Sequence, residues 1–213
     1  MQPMANVVFA EAAAPLLQIA HAILAVASVG AATHLALWLR GHRVGRPRRH
    51  AATRRFAALS AGLCLATFVV GLVIYPTYRT RVRAEYLDEP AIVARDHEQR
   101  QRARDEVAGR HGVEPMAGAP TPETTRMQTR RAVLLSRWFD VKEHWAAIFT
   151  LSSIAIYMLL RGWRRAGKSD ADTSTELANS TVGAIAFWAA VLTAAGLWAC
   201  ALIGLFVANA RSI

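Results

Sequence analysis

The sequence predicts an all-α integral membrane fold: four transmembrane helices in an up-down bundle, with a helical extramembrane connection between helices 2 and 3. Three observations carry this. Of the 213 residues, 54% are apolar and 25 are Lys or Arg, and the two populations are segregated along the chain. Four apolar stretches, at about residues 15–39, 56–75, 143–161 and 183–208, approach or exceed the roughly 20 residues a helix needs to cross the hydrocarbon layer. The arginines gather between them. Residues 40–55 read RGHRVGRPRRHAATRR, with seven arginines and no acid, and the next short connection opens with GWRRAGK. A single membrane domain, 1–213, is expected, with 76–142 as an outer, partly helical connection.

The first stretch runs from Pro15 to Leu39. No basic segment precedes it, and it is longer than the apolar core of a secretion signal, so it is expected to be retained as a targeting helix. The second runs from Phe56 to Tyr75 and meets Pro76, which lacks a backbone donor and is expected to kink the chain as it leaves the apolar layer. Val82 and Tyr86, four apart, predict that helix continues beyond the kink. A further helix is predicted from Pro90, with Asp96–Arg100 and Glu98–Arg102 as i,i+4 pairs and Gly109 and Gly112 at its end. Residues 113–125, rich in Pro, Gly and Thr, read as a linker. From Thr125 the pattern Met127, Arg131, Leu134, Leu135, Trp138 predicts a helix that runs on into the third span. The fourth, 183–208, carries Gly196, Cys200 and Gly204 at four-residue spacing, the small-residue row of close helix packing.

The positive-inside rule places both short arginine-rich connections in the cytoplasm, and both termini and residues 76–142 outside. The expected location is the bacterial inner (cytoplasmic) membrane, as a multi-pass protein surrounded by the lipid bilayer. The +10 charge is therefore loop charge, and no basic soluble module of the kind that binds nucleic acid is present. No phosphate-cradling glycine loop, nucleophile elbow or zinc spacing occurs. Cys64 and Cys200 fall at different depths, so no disulfide joins them and both read as small apolar residues. No carboxylate lies deeper in a span than Glu143, at the very edge of the third, which weighs against an ion-coupled transporter.

Ionisable groups within spans are functional candidates, and here they are His21, His34 and His144. Counting up from the arginine boundaries at 1.5 Å per residue places His21 about 28 Å and His144 about 25 Å high, with Tyr75 near the same level. Two imidazoles at one height on two helices suit the axial ligation of a b-type haem. His21 and His144 would be the iron ligands, and Ala25, Ser28, Ala32 and the Gly196–Cys200–Gly204 row would flank the macrocycle. Arg79, Arg81, Tyr78 and Lys142 would meet its propionates, and Asp140 or Glu143 would orient a ligand imidazole through its second nitrogen. A quinone would bind beside Tyr75 and Asp140–Glu143. The same histidines also suit plain boundary residues, among belt aromatics such as Trp138 and Trp145. His34 points about 220° away from His21 and lacks a partner at its own level, so it reads as a packed or interfacial residue.

The leading expectation is a membrane subunit that binds one haem b and passes electrons within a respiratory or redox complex, alongside partner subunits, rather than a self-sufficient enzyme. The alternative is a cofactor-free accessory or assembly subunit acting through its outer arm and small-residue faces. A small transporter component, with a pore lined by Ser28, Thr33, Ser60 and Thr67, is the third.

Overall fold

The computed structural model describes residues 8–44, 50–112, 122–163, 172, 176, 177 and 179–210, and every regular element among them is helical. A 3-10 turn, Glu11–Ala13, leads into α1 (Ala14–Arg43), with Pro15 in its first turn. Helix α2 (His50–Thr77) contains Pro76 and continues as a π-helix, Tyr78–Leu87. Proline cannot donate to the carbonyl one turn back, and beyond it the hydrogen bonds lengthen their reach by one residue. The Asp88 N–H, for example, donates to the Arg83 carbonyl five residues earlier, at 2.9 Å. The kink expected at Pro76 is thus taken up as a change of helix type.

Helix α3 (Pro90–Arg110) opens on Pro90 and is followed two residues on by Gly112, whose φ of 63° is the left-handed geometry that glycine adopts without a Cβ clash. The predicted pairs form, Arg100–Asp96 at 3.0 Å and Arg102–Glu98 at 3.7 Å. Helix α4 (Pro122–Gly162) is unbroken over 41 residues, and α5 (Thr181–Ala210) is the last. The helices outrun the predicted spans. Arg40–Arg43 and His50–Arg55 are helical, and His42 and His50 are buried, with His42 Nε2 3.1 Å from Thr53 Oγ1. The linker expected at 113–125 lies mostly outside the described residues, as does the 162–182 connection.

Helices α1 and α2, α2 and α4, α4 and α5, and α5 and α1 pack as neighbours, which closes a ring and sets α1 diagonally opposite α4. One apolar cluster joins Leu35, Leu39, Ala57, Ile156, Leu160 and Ala190. The other joins Tyr78, Val82, Tyr86, Val93, Leu135 and Val207, where the π-helix, α3, the first half of α4 and the end of α5 meet; this is the cap end. Hydroxyls link neighbouring helices between the clusters: Ser28 to Thr67 at 2.8 Å, Ser152 to Thr193 at 2.8 Å, and the Trp198 indole N–H to Thr33 at 3.2 Å. Among the described residues, four helices are long and apolar enough to cross a membrane. Leu16, Ile23, Leu65, Leu72, Leu151 and Leu192 are exposed on their outer faces. So wide an apolar surface suggests a multi-pass membrane protein.

Candidate functional site

His21 lies seven residues before Ser28, within about 20° of it around α1, and so shares the inward stripe. Its Nδ1–H donates to the Thr67 carbonyl of α2 at 3.0 Å. The approach depends on Gly71, because a Cβ there would sit 3.1 Å from His21 Cε1. The ring is therefore pressed onto α2.

His144 occupies the opposite kind of position. Ser153, nine residues on and about 180° around the helix, is 1% exposed inside the bundle, whereas His144 shares the exposed stripe of Trp145, Ile148 and Leu151. Its Nδ1–H donates to the Asp140 backbone carbonyl at 2.8 Å. Neither carboxylate of the 140–143 segment orients the ring. Asp140 accepts instead from Arg83 Nη1.

The bis-histidine pairing expected from equal heights thus meets a geometric obstacle. One ring faces a neighbouring helix and the other faces outward, on helices that stand diagonally. The flanking row is also filled. The Phe149 ring lies where a Cβ at Gly196 would be, 1.9 Å away, and Lys142 Nζ lies 3.3 Å from the corresponding point at Gly204. Between them the Cys200 thiol points at the Lys142 carbonyl, 3.8 Å away. These residues do not fit a haem plate between His21 and His144. The backbone tie on His144 Nδ1 resembles that of a metal-bound imidazole, but His34 makes the same tie to the carbonyl one turn back, Gly30, at 3.0 Å. The tie on His21 instead crosses to α2. Among the described residues no cluster of three or more His, Cys, Asp or Glu is placed to hold a metal.

The other predicted residues collect at the cap end. Tyr75 packs half-buried on the apolar cluster there, and Arg79 is exposed on the π-helix. Arg81 is held by Glu11 at 2.7 Å and by Glu85 at 2.8 Å. Tyr78 stacks on Phe139 at 3.7 Å between centroids, and Lys142 Nζ lies 5.0 Å from the same ring centroid. Lys142, expected at a rim, instead reaches across to α5.

Sequence reasoning missed the centre of this network, Arg83. It bridges Asp140 on α4 and Asp88 at the end of the π-helix, the latter at 3.3 Å, and Asp88 in turn accepts from Ser136 at 3.1 Å. Arg83 and Asp88 stand five apart, which an α-helical reading does not pair. Set against protein-family models, curated proteins and solved structures, the chain matches none.

Proposed function

We propose that this chain is a cofactor-free accessory or assembly subunit of a membrane complex. Its four apolar helices cross the bilayer in up-down order, and its cap is held rigidly at the outer face to receive a partner protein. The observation that carries this reading is the cross-tie at Arg83, which fastens the π-helical extension of α2 to α4. With the Tyr78–Phe139 stack and the Arg81–Glu11 pair, it turns the connection into a continuation of the bundle. A merely solvated connector would have no need of these links to α4 and to the turn before α1. The arginine-rich connections at the opposite end support a cytoplasmic placement for that end.

The reading also draws support from what the polar groups inside the bundle do. Ser28 and Thr67 bond to each other, one donating across and the other to the carbonyl one turn back, while Thr33 receives Trp198 and donates to the Val29 carbonyl. Hydroxyls so engaged join helices rather than line a pore. The haem-carrying alternative keeps only the level of its two histidines. No step of electron transfer or quinone chemistry is derived from it.

A photo-crosslinking residue placed at Val107, exposed on α3, tests the proposal in native membranes, with lipid-facing Leu151 as the control position. The expected result is a defined protein adduct from Val107 and none from Leu151. Absence of an adduct at Val107 and at exposed Met127 would refute the docking role. A reversible b-type absorption band in the purified protein, lost in both His21→Ala and His144→Ala, would restore the electron-carrier reading.

A further inference from the structure

A cleft of about 320 Å³ lies at the cap end, between α3 and the first half of α4. Its floor is apolar, formed by Leu87, Val93, Ala132 and Leu135, and Asn209 closes it at the end of α5. Its upper walls are not apolar at all. His97, Gln101 and Arg104 line it from α3, and Gln128 and Arg131 from α4. Helical spacing explains the α3 wall, because His97, Gln101 and Arg104 recur at intervals of four and three and so share one face.

The charges in this cleft are unequal in their engagements. Asp96, the acid of the lining, is occupied by the Tyr86 hydroxyl and by Arg100 at 3.0 Å. Arg104 and Arg131 have no ion-pair partner among the described residues. Deeper in, His97 Nε2 and Gln101 Oε1 are buried and lack a hydrogen-bond partner. A buried polar atom left unmatched is costly, and two in one cleft beside two free guanidiniums mark a place that an acceptor ligand would satisfy. Imidazole N–H, guanidinium and amide N–H groups are all donors, and turning the Gln101 amide presents its NH2 in place of the oxygen. The complement is an oxyanion with several acceptor oxygens.

We propose that this cleft binds a phosphate group. Guanidiniums reaching from two helices match the several oxygens of a phosphate better than the two of a carboxylate. Depth also fits a lipid source. Helix α5 has 30 residues, or about 45 Å of rise, against about 40–45 Å for a bilayer with its headgroups. Asn209, in its last turn, therefore reaches the headgroup layer, and the apolar floor would meet the glycerol and upper chains. The shared chemistry is a phosphate ester or free phosphate, and the two sources are separable by experiment. The inference stands apart from the docking role, since it concerns a ligand beneath α3 and not the outer face of that helix.

The test is calorimetric titration of the full-length protein in mild detergent with three probes. They are inorganic phosphate, dihexanoylphosphatidic acid below its micellar concentration, and dihexanoylglycerol, which lacks the phosphate. Saturable binding of phosphatidic acid without binding of inorganic phosphate identifies a lipid headgroup. Inorganic phosphate that binds as well as the lipid, or better, identifies the phosphate itself as sufficient. R104Q/R131Q is expected to weaken binding at least about tenfold, from the loss of two charge-assisted hydrogen bonds. R102Q/R110Q removes equal charge from ion-paired, exposed positions of the same helix and is expected to bind as the unsubstituted protein does. No binding of either phosphate probe, equal binding of the glycerol, or unchanged affinity in R104Q/R131Q overturns the proposal. The first two outcomes are read on the unsubstituted protein, so they decide even if the variant fails to fold.

Discussion

Replacing Arg83 with Gln is predicted to loosen the cap while leaving the four-helix packing intact. The guanidinium is 31% exposed and serves two carboxylates, Asp88 at 3.3 Å and Asp140 at closer range, which are themselves 47% and 38% exposed. Exposed ion pairs contribute about 0.2–1 kcal/mol, and a partly shielded guanidinium shared by two helices belongs at the upper end for each. The loss is then about 1–2 kcal/mol, with part of it due to Asp88 and Asp140 being left close together without a cation. Applied to local opening, that energy corresponds to roughly a 5–30-fold fall in protection. Hydrogen–deuterium exchange followed by mass spectrometry would read it as faster exchange across 78–110, with 186–200 unchanged. Asp140→Asn should reproduce much of the effect, and R83Q/D140N should add less than the sum of the singles, because both remove one contact. Raising the salt to 1 M, where the screening length is about 3 Å, should narrow the difference. Equal protection of 78–110 in the R83Q and unsubstituted proteins would refute the reasoning, since the cap would then be held by apolar packing alone.

The glycine row of α5 makes a contrasting pair of predictions. Gly196→Ala places a methyl inside the Phe149 ring and should destabilise by about 1–3 kcal/mol, offset in part by alanine's helix preference of about 1 kcal/mol; thermal unfolding in detergent measures it, and Phe149→Leu in the same chain should recover stability. Gly204→Ala meets only the flexible end of Lys142 and should be nearly neutral. In a chain carrying Cys64→Ala and Cys200→Ala, a cysteine at Val107 should react with an impermeant maleimide on intact cells, and one at Val44 only after permeabilisation; the reverse pattern would invert the assigned orientation.

Much of the fold was legible in the sequence, because spans, proline starts and glycine ends are local signals. Pro90 opens α3 and Gly112 follows its end as read, and the 127–138 pattern does run on into the apolar half of α4. The π-helix was not legible, since Val82 and Tyr86 fit an α-helical stripe as well as a wider one. The candidate site was less legible, for a sharper reason. His21 and His144 were matched by height, which the chain's rise supplies, but not by phase around the helix. The phase was available: Thr150 and Ser153 need the interior, and Ser153 lies half a turn around from His144. Lys142 was taken for a rim residue because only tertiary packing shows that Gly204 makes room for it. The cleft beneath α3 likewise joins segments as distant in the chain as Arg104, Arg131 and Asn209, and no local pattern could announce it.

Whether the cap is a fixed extension of the bundle is tested most directly by a distance between the two. Spin labels at Val107 on α3 and Leu192 on α5, both exposed, can be read by pulsed electron resonance in lipid nanodiscs after replacement of Cys64 and Cys200. A single narrow distance peak that broadens in R83Q is the expected result. A broad distribution in the chain that retains Arg83 would contradict the account, because a partner would then meet a loose tether instead of a formed surface.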